Sequence, residues 1–502
     1  MVLTALIVGT RCANYADVFV GGRIYFVDAD CYSRMSRARL VAEDPGRVVR
    51  QHDFENFPAG VVPHTTAPLD YLIVGLAALL RPFTAQPLDL AGAFISPLLA
   101  LCGGWFLWWW SRGLAWPGRM AALLVYVGSA ILVHGTALGR PDHQALLIVT
   151  LLVALAAEWR LQENPARGWG IVSGISWGLA IWVSLYEPLV LFGGLILGAM
   201  LAARAQLTLR PRRIGWWILL GIVLLAAAVE RRGPQWSGWG PSLVHWSATI
   251  GELAAVPLTS RIWWSWGGGF LLLSPVLLLF ALRRRTVPFV IAGLLALSFC
   301  LTLWEARWAY FFAIIFVLTI PAQMAILRPR WLASLTIGLA LFPFLQFWDE
   351  RLWPNEEEKI RRAARRLEMV EWRAAATSLA PLPAAPVMAP WWLAPATAYW
   401  SDQPVVAGSS HESLPGIMAS ARFYLAVSPQ TAREILREHG VRWVLAYDGE
   451  RVAENSAALL GVPPPANALC RTLDRFPGQA PIFLSLSSEN GTCKVYQVLG
   501  LP

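Results

Sequence analysis

A bundle of transmembrane α-helices followed by a mixed α/β soluble domain is the fold class this sequence predicts, and three observations predict it. Hydrophobic residues make up 56% of the 502 positions and charged residues only 15%, whereas a soluble enzyme carries about a quarter charged. Mean hydropathy is +0.49. Apolar stretches long enough to cross a hydrocarbon core of roughly 30 Å recur from the N-terminus to about Trp348 and then stop. From Asp349 onward, charge runs, proline clusters and short alternating segments take over, the texture of a water-soluble α/β domain of about 150 residues. The expected division is therefore 1–348 for the membrane part and 349–502 for the soluble part.

The spans are expected near 1–20, 92–111, 119–137, 143–158, 169–186, 188–203, 214–229, 263–282, 287–304, 308–327 and 331–348, about eleven at the usual length. The first contains Arg11, Asn14 and Asp17 and lacks a small-residue cleavage site, which reads as a retained span rather than a signal peptide. Arginines set the topology. Arg112 and Arg119 follow the second span, Arg160 and Arg167 the fourth, and Arg204, Arg210, Arg212 and Arg213 the sixth. Arg283, Arg284 and Arg285 follow the eighth, and Arg328 and Arg330 the tenth. Every even-numbered span thus ends in a basic loop, cytoplasmic by the positive-inside rule. Residues 69–83 are apolar but short and carry Asp70 and Arg81; as a span they would invert every later loop. They are read as an interfacial helix inside a long external loop, 21–91. Residues 27–39, 138–144, 230–262 and 304–307 then share the non-cytoplasmic face, together with an extracytoplasmic C-terminal domain. The chain is expected to be a multi-pass protein of a plasma or inner membrane.

The net charge of +9 does not point to nucleic acid, because the basic residues are scattered through short loops instead of forming a patch. Of six cysteines, Cys470 and Cys493 in the tail invite a disulfide if the tail lies in an oxidising compartment, with buried thiols the alternative. Trp108, Trp109 and Trp110, and likewise Trp263, Trp264 and Trp266, read as interfacial belts. The charge run 356–366 reads as an amphipathic helix joining membrane and tail.

Carboxylates at a membrane edge are costly and usually have a task. Asp30 follows the first span in FVDADCYSRMSRAR, Asp142 precedes the fourth in GRPDHQALL, Glu252 lies in the 230–262 loop as ATIGELAA, and Arg307 opens the tenth span in WEARWAYFF. Three carboxylates from separate loops suit a hard cation, Mn²⁺ or Mg²⁺, which prefers oxygen ligands and leaves positions open for a phosphate. An arginine beside them can neutralise a departing pyrophosphate with its planar fork. Other roles stay open: Asp142 also suits a helix N-terminus, and Arg307 could pair with Glu305.

These segments resemble the catalytic subunit of oligosaccharyltransferases, membrane glycosyltransferases of the GT-C fold, over most of the chain. The family's Asp-x-Tyr element in the first external loop is matched by Asp30-Cys31-Tyr32. Its second acidic motif corresponds to Asp142-His143-Gln144, a partial match, and its Thr-Ile-x-Glu to Thr249-Ile250-Gly251-Glu252. Arg307 occupies the context of the arginine that binds the donor pyrophosphate. The resemblance implies that Asp30 binds metal and activates or orients the acceptor, that Asp142 and Glu252 complete the metal site, and that Arg307 holds the diphosphate. It implies a polyprenyl-linked sugar donor drawn from the membrane lipid. On the acceptor side the family's Trp-Trp-Asp-Tyr-Gly is met by Trp391-Trp392-Leu393-Ala394-Pro395. Leu393 cannot accept a hydrogen bond from an acceptor hydroxyl, so the acceptor is left as protein, lipid or glycan. The competing expectations are a GT-C transferase using a polyprenyl-monophosphate sugar on lipid or cell-wall glycan, and a catalytically silent scaffold or transporter. Transport would place charges deep within the spans, whereas these gather at one edge.

Overall fold

The computed structural model describes residues 1–202, 204–231 and 240–500. Residues 232–239 of the expected second large loop, Ala203 at the end of the sixth expected span, and 501–502 lie outside the described residues. The protein is a multi-pass bundle of apolar helices joined to a smaller mixed domain. Pro87–Gly113, His143–Glu163, Arg210–Glu230, Ala306–Met324 and Trp331–Leu352 are long and apolar enough to cross a membrane. Shorter apolar helices such as Tyr186–Ala202 and Phe289–Trp304 fill the remaining expected spans. Large apolar side chains point outward from several of them, among them Leu201, Trp217, Leu272 and Leu339, which is the inversion expected when the solvent is lipid.

Three expected spans differ in detail. The first helix, Val2–Arg11, stops after ten residues, and the stretch 119–137 is broken at Ser129 into Trp116–Gly128 and Ala130–Gly135. One side chain accounts for both. Arg11 is fully buried and donates to the carbonyls of Val127 at 2.6 Å and Tyr126 at 2.8 Å and to Thr136 Oγ1 at 3.2 Å. A cation thus meets carbonyls at the end of the broken helix, where the helix dipole favours it. Ser129 Oγ donates to the Trp266 carbonyl at 2.6 Å. The third break separates Ile262–Gly267 from Phe270–Arg283 at Gly268, whose φ of +63° suits glycine and where a Cβ would stand 2.5 Å from the Ala340 carbonyl oxygen.

Small residues let two helices touch backbone to backbone. A Cβ on Gly174 would fall 2.2 Å from the Gly215 carbonyl oxygen, and one on Gly170 2.0 Å from that of Pro211. Helices Arg167–Val183 and Arg210–Glu230 therefore pack along a Gly170-x-x-x-Gly174 edge, as membrane helices do when dispersion replaces the hydrophobic effect. Trp110, Trp263 and Trp266 are buried rather than belted, since they pack between helices, while Trp108, Trp109 and Trp264 are exposed.

The helix Glu356–Thr377 follows the bundle, capped by Asn355, whose Oδ1 accepts from the Glu358 amide at 2.9 Å. Beyond it lies a four-stranded sheet in the order Val387–Met388, Trp443–Ala446, Lys494–Val498, Leu484–Glu489; the first pair is parallel and the rest antiparallel. Helices Leu414–Leu425 and Gly449–Leu460 pack on one another beside it. Cys470 and Cys493 are buried free thiols, so the disulfide alternative is not realised.

The loop helix Ala29–Glu43 ties the two parts together. Tyr32 meets Tyr399 and Trp400 ring to ring, at 5.9 and 4.9 Å between centroids, and Arg39 pairs with Asp402. On its other face Arg34 and Arg37 clasp Asp70, the N-terminal acid of helix Ala67–Leu80, at 2.7 and 2.6 Å with all three side chains buried. Burial works to raise the Asp70 carboxyl, but Arg37 and Arg34 outweigh it and hold it below its ordinary 3.8. A depressed carboxyl stabilises fully above that value and loses its contribution as pH falls through the folded value. Asp70→Asn, which strands two buried guanidinium groups, is therefore expected to lower stability by about 3 kcal/mol at neutral pH. The deficit should narrow below about pH 4; thermal unfolding in detergent that shows no deficit at pH 7 would contradict this.

Candidate active site

Two helix N-termini meet at one end of the bundle. Asp28 caps Ala29–Glu43, its Oδ1 accepting from the Cys31 amide at 3.0 Å, which puts Asp30 in the first turn. Asp142 caps His143–Glu163, its Oδ1 accepting from the His143 amide at 2.7 Å. Both residues keep the cap role that carboxylates favour, and their remaining oxygens face a shared cleft.

Arg140 lies at the centre of that cleft. Its Nη1 is 2.9 Å from Asp28 Oδ2, and its Nη2 is 2.9 Å from Glu252 Oε1 and 3.7 Å from Asp142 Oδ2. Nη2 also donates to Gln144 Oε1 at 3.1 Å, and Gln144 Nε2 donates to Glu252 Oε2 at 2.7 Å. Tyr310 completes the ring by donating to Glu252 Oε1 at 3.1 Å, with His134 Nδ1 2.7 Å from its hydroxyl. Gln144, where the resembling family has an acid, thus serves as a neutral bridge between Arg140 and Glu252.

The charges are unevenly compensated. Burial works to raise Asp142, yet His143 and Arg140 outweigh it and hold the carboxyl well below the usual range. Among the described residues, Asp30 has no cation in hydrogen-bonding reach. It faces the open cleft, but the protein crowded around it, with Asp28 and then Asp142 as like charges, raises its carboxyl to about 7 against the pull of Ser409 and His64. Asp30 and Asp142 are therefore a like-charge pair whose repulsion a divalent cation would relieve.

Arg307 pairs with Glu187 at 3.1 Å, not with its neighbour Glu305, and its Nε is buried without a hydrogen-bond partner. The Ala306 amide beside it donates to the Ala254 carbonyl at 2.9 Å, which ties this turn to the segment that carries Glu252. Trp391 and Trp392 are elsewhere in the C-terminal domain: Trp391 Nε1 donates to Asn455 Oδ1 at 2.7 Å, and Arg451 stands 5.9 Å from the Trp392 ring. Among the described residues, no hydrogen bond, ion pair or ring contact links either tryptophan to the carboxylates.

The sequence reading missed Arg140, Asp28, Tyr310 and Glu187, and also a second cluster of His64, His411 and Glu412. Arg140 stood in the quoted GRPDHQALL string two residues before Asp142, and a basic residue beside a membrane-edge acid was the available signal. A cavity of about 680 Å³ opens between the helices, lined by Leu258 and Ser260 of the loop that also carries Glu252 and walled by Trp263, Leu271, Phe299 and Phe312.

No family model matches the chain, and no curated protein matches it. Solved structures do. The archaeal oligosaccharyltransferase AglB from Archaeoglobus fulgidus, in complex with an inhibitory peptide and a dolichol-phosphate, superposes with a TM-score of 0.67 at 14% identity, covering 92% of this chain and 70% of that one. ArnT from Cupriavidus metallidurans, bound to undecaprenyl phosphate, gives 0.58 at 13% identity over 98% of this chain and 97% of that one. All of these are GT-C glycosyltransferases. The chain has the GT-C fold. The arabinofuranosyltransferase AftD from Mycobacteria matches this GT-C chain at 0.56 and 13% identity, over 99% of it but 41% of AftD.

Arg140 gives the cleft its shape, so Arg140→Gln should leave Asp28, Asp142 and Glu252 uncompensated and lower stability by about 3 kcal/mol. Added Mg²⁺ should then restore more of the melting temperature in the variant than in the wild type. Equal melting curves for the two proteins would contradict the arrangement.

Proposed function

We propose that this protein is a membrane glycosyltransferase that moves a glycan from a polyprenyl-linked donor to an acceptor on the non-cytoplasmic face, with 1–348 as the catalytic membrane part and 349–502 as an extracytoplasmic domain of a plasma- or inner-membrane protein. The observation that carries the reading is the convergence of Asp30, Asp142, Glu252 and Arg307, from four separate segments, on one cleft beside an apolar cavity.

Each part has a task that its chemistry suits. The aromatic cavity accommodates an isoprenoid chain, and Arg307, pinned by Glu187 with a spare Nε–H, offers its fork to a phosphate. Arg140 holds Glu252 and Asp142 in fixed directions, so that little reorganisation is needed when charge develops on the leaving group. Asp30, left without a cation, and Asp142 beside it fit a hard divalent cation, with Glu252 completing the set. Mn²⁺ or Mg²⁺ held there would supply Lewis-acid stabilisation of the departing phosphate oxygen. Asp30, exposed to the cleft, orients the acceptor group and accepts its proton.

Two donor classes remain in play, and one observation favours the smaller. AglB is covered to 70% but ArnT to 97% of its length. A monosaccharide on polyprenyl monophosphate, transferred to lipid or cell-wall glycan, is the second reading. Leu393, buried at the start of helix Ala394–Ser401, favours an acceptor other than an Asn-x-Thr peptide.

Purified protein with Mn²⁺ or Mg²⁺ is expected to turn over a polyprenyl-linked sugar, followed by mass spectrometry of products from diphosphate and monophosphate donors in parallel. Asp30→Ala, Asp142→Ala and Glu252→Ala should each reduce turnover on the order of 10²-fold or more, and Arg307→Met should chiefly raise KM for the donor. Undiminished turnover in the three acid variants would remove these roles. Efficient transfer to an Asn-x-Thr peptide would show that Leu393 does not restrict the acceptor.

A further inference from the structure

We propose that His64, His411 and Glu412 form a second metal site, suited to Zn²⁺, that clamps the first large loop onto the C-terminal domain. The proposal does not depend on the transfer chemistry above. One candidate ligand atom from each residue lies within 4.8 Å of the others. His64 Nδ1 is 2.8 Å from Glu412 Oε1, His411 Nδ1 is 3.4 Å from the other carboxylate oxygen, and the two imidazole rings stack at 5.5 Å and 26°.

Donor chemistry selects the ion. Two imidazole nitrogens and one carboxylate suit zinc or a similar transition ion rather than Mg²⁺ or Ca²⁺, which prefer oxygen throughout. A tetrahedral zinc at about 2.1 Å from each ligand holds its donors roughly 3.4 Å apart, so an ion would open the 2.8 Å pair and draw in the wider ones, all now within 4.8 Å. Glu412 is the hub of the cluster: its side chain is 10% exposed, and its Oε2, buried without a hydrogen bond, has among the described residues only the His411 ring at ion-pair distance. Such an oxygen is costly to leave unmet. With three protein ligands, a water molecule takes the fourth position.

The backbone brings the three together before any ion arrives. The Val405 amide donates to the Phe54 carbonyl at 2.9 Å, the Phe57 amide to the Val405 carbonyl at 3.1 Å, and the Gly416 amide to Asn56 Oδ1 at 2.9 Å. Glycine is required at 416, where a Cβ would stand 1.9 Å from the Val406 carbonyl oxygen, and a Cβ at 408 would crowd Glu55 Oε2 at 2.4 Å. The His64 amide adds a 2.8 Å bond to Glu412 Oε1. Loop and domain are thus laced along one side, and the ion would close the other. The Ser409 amide, two residues before His411, adds a 3.4 Å bond to Glu55 Oε2 at the edge of the loop. An ion at this position would hold that edge of the cleft in place, with the His64 ring 5.9 Å from that of His143, the neighbour of Asp142.

The test uses full-length protein in detergent, with zinc itself as the probe. Elemental mass spectrometry after Zn²⁺ loading and desalting should find one equivalent bound, Co²⁺ in its place should give the visible absorption of a tetrahedral site, and a chelator should lower the melting temperature. Glu412→Gln, close to isosteric, and His411→Ala should each weaken Zn²⁺ binding by at least about 100-fold and make the melting temperature insensitive to chelator. Asp30→Asn and Asp142→Asn should keep the zinc. The proposal is overturned if wild-type protein holds no stoichiometric zinc, if the Glu412→Gln protein binds it as tightly as wild type, or if the aspartate variants lose it.

Discussion

A buried guanidinium has to be paired, and the pairing of Arg140 organises the whole cleft. Its two terminal nitrogens reach Asp28 at the start of one helix, Asp142 at the start of another and Glu252 in a third segment. Removing a charge from water costs several kcal/mol unless partners replace the lost hydration, so the three segments are bound to one another through this side chain. The consequence is asymmetric. Asp28, Asp142 and Glu252 share a cation the protein supplies, while Asp30, in the same cleft, has none. The internal cation fixes the geometry of the cleft, and Asp30 stands beside it as the acid that Arg140 does not pair.

The same device recurs at the other joints. Arg11 satisfies the carbonyls exposed where a membrane helix breaks, and Arg34 with Arg37 clasps Asp70 under the loop helix. In each case a charge that hydropathy would exclude from an apolar protein is buried and paired. The GT-C bundle is thus assembled from helices that dispersion holds together and from a few ionic joints that set where they begin, break and meet the C-terminal domain.

The helical bundle was legible in the sequence because lipid imposes a length and a composition on each span; residues 69–83, read from arginine parity as interfacial, fall on the helix Ala67–Leu80, whose acid is turned inward. The breaks at Ser129 and Gly268 were not legible. Each depends on a distant partner, Arg11 and Trp266 for the first and Ala340 for the second, and the local apolar pattern runs through them unchanged. The tryptophan runs misled for a related reason: composition marks Trp263 and Trp266 as interfacial, but packing between helices buries them. In the site, Asp30, Asp142, Glu252 and Arg307 were found because acids and arginines stand out against apolar flanks. Arg140 does not stand out, because its partners Asp28 and Glu252 are distant in sequence, and His64, His411 and Glu412 lie 348 residues apart at the extreme, a separation at which no spacing rule operates. Trp391 and Trp392 carried a resemblance, and their contacts lie with Asn455 and Arg451 rather than with the carboxylates.

The central claim is that Asp30 and Asp142 form the seat for a hard cation while Arg140 stays in place as the internal one. Anomalous scattering from crystals soaked in Mn²⁺ tests it most directly. The account predicts a manganese peak between the Asp30 and Asp142 carboxylates, with the Arg140 guanidinium still bridging Asp28 and Glu252. A fully loaded crystal with no peak there, or a peak at the position of a displaced Arg140, would contradict it.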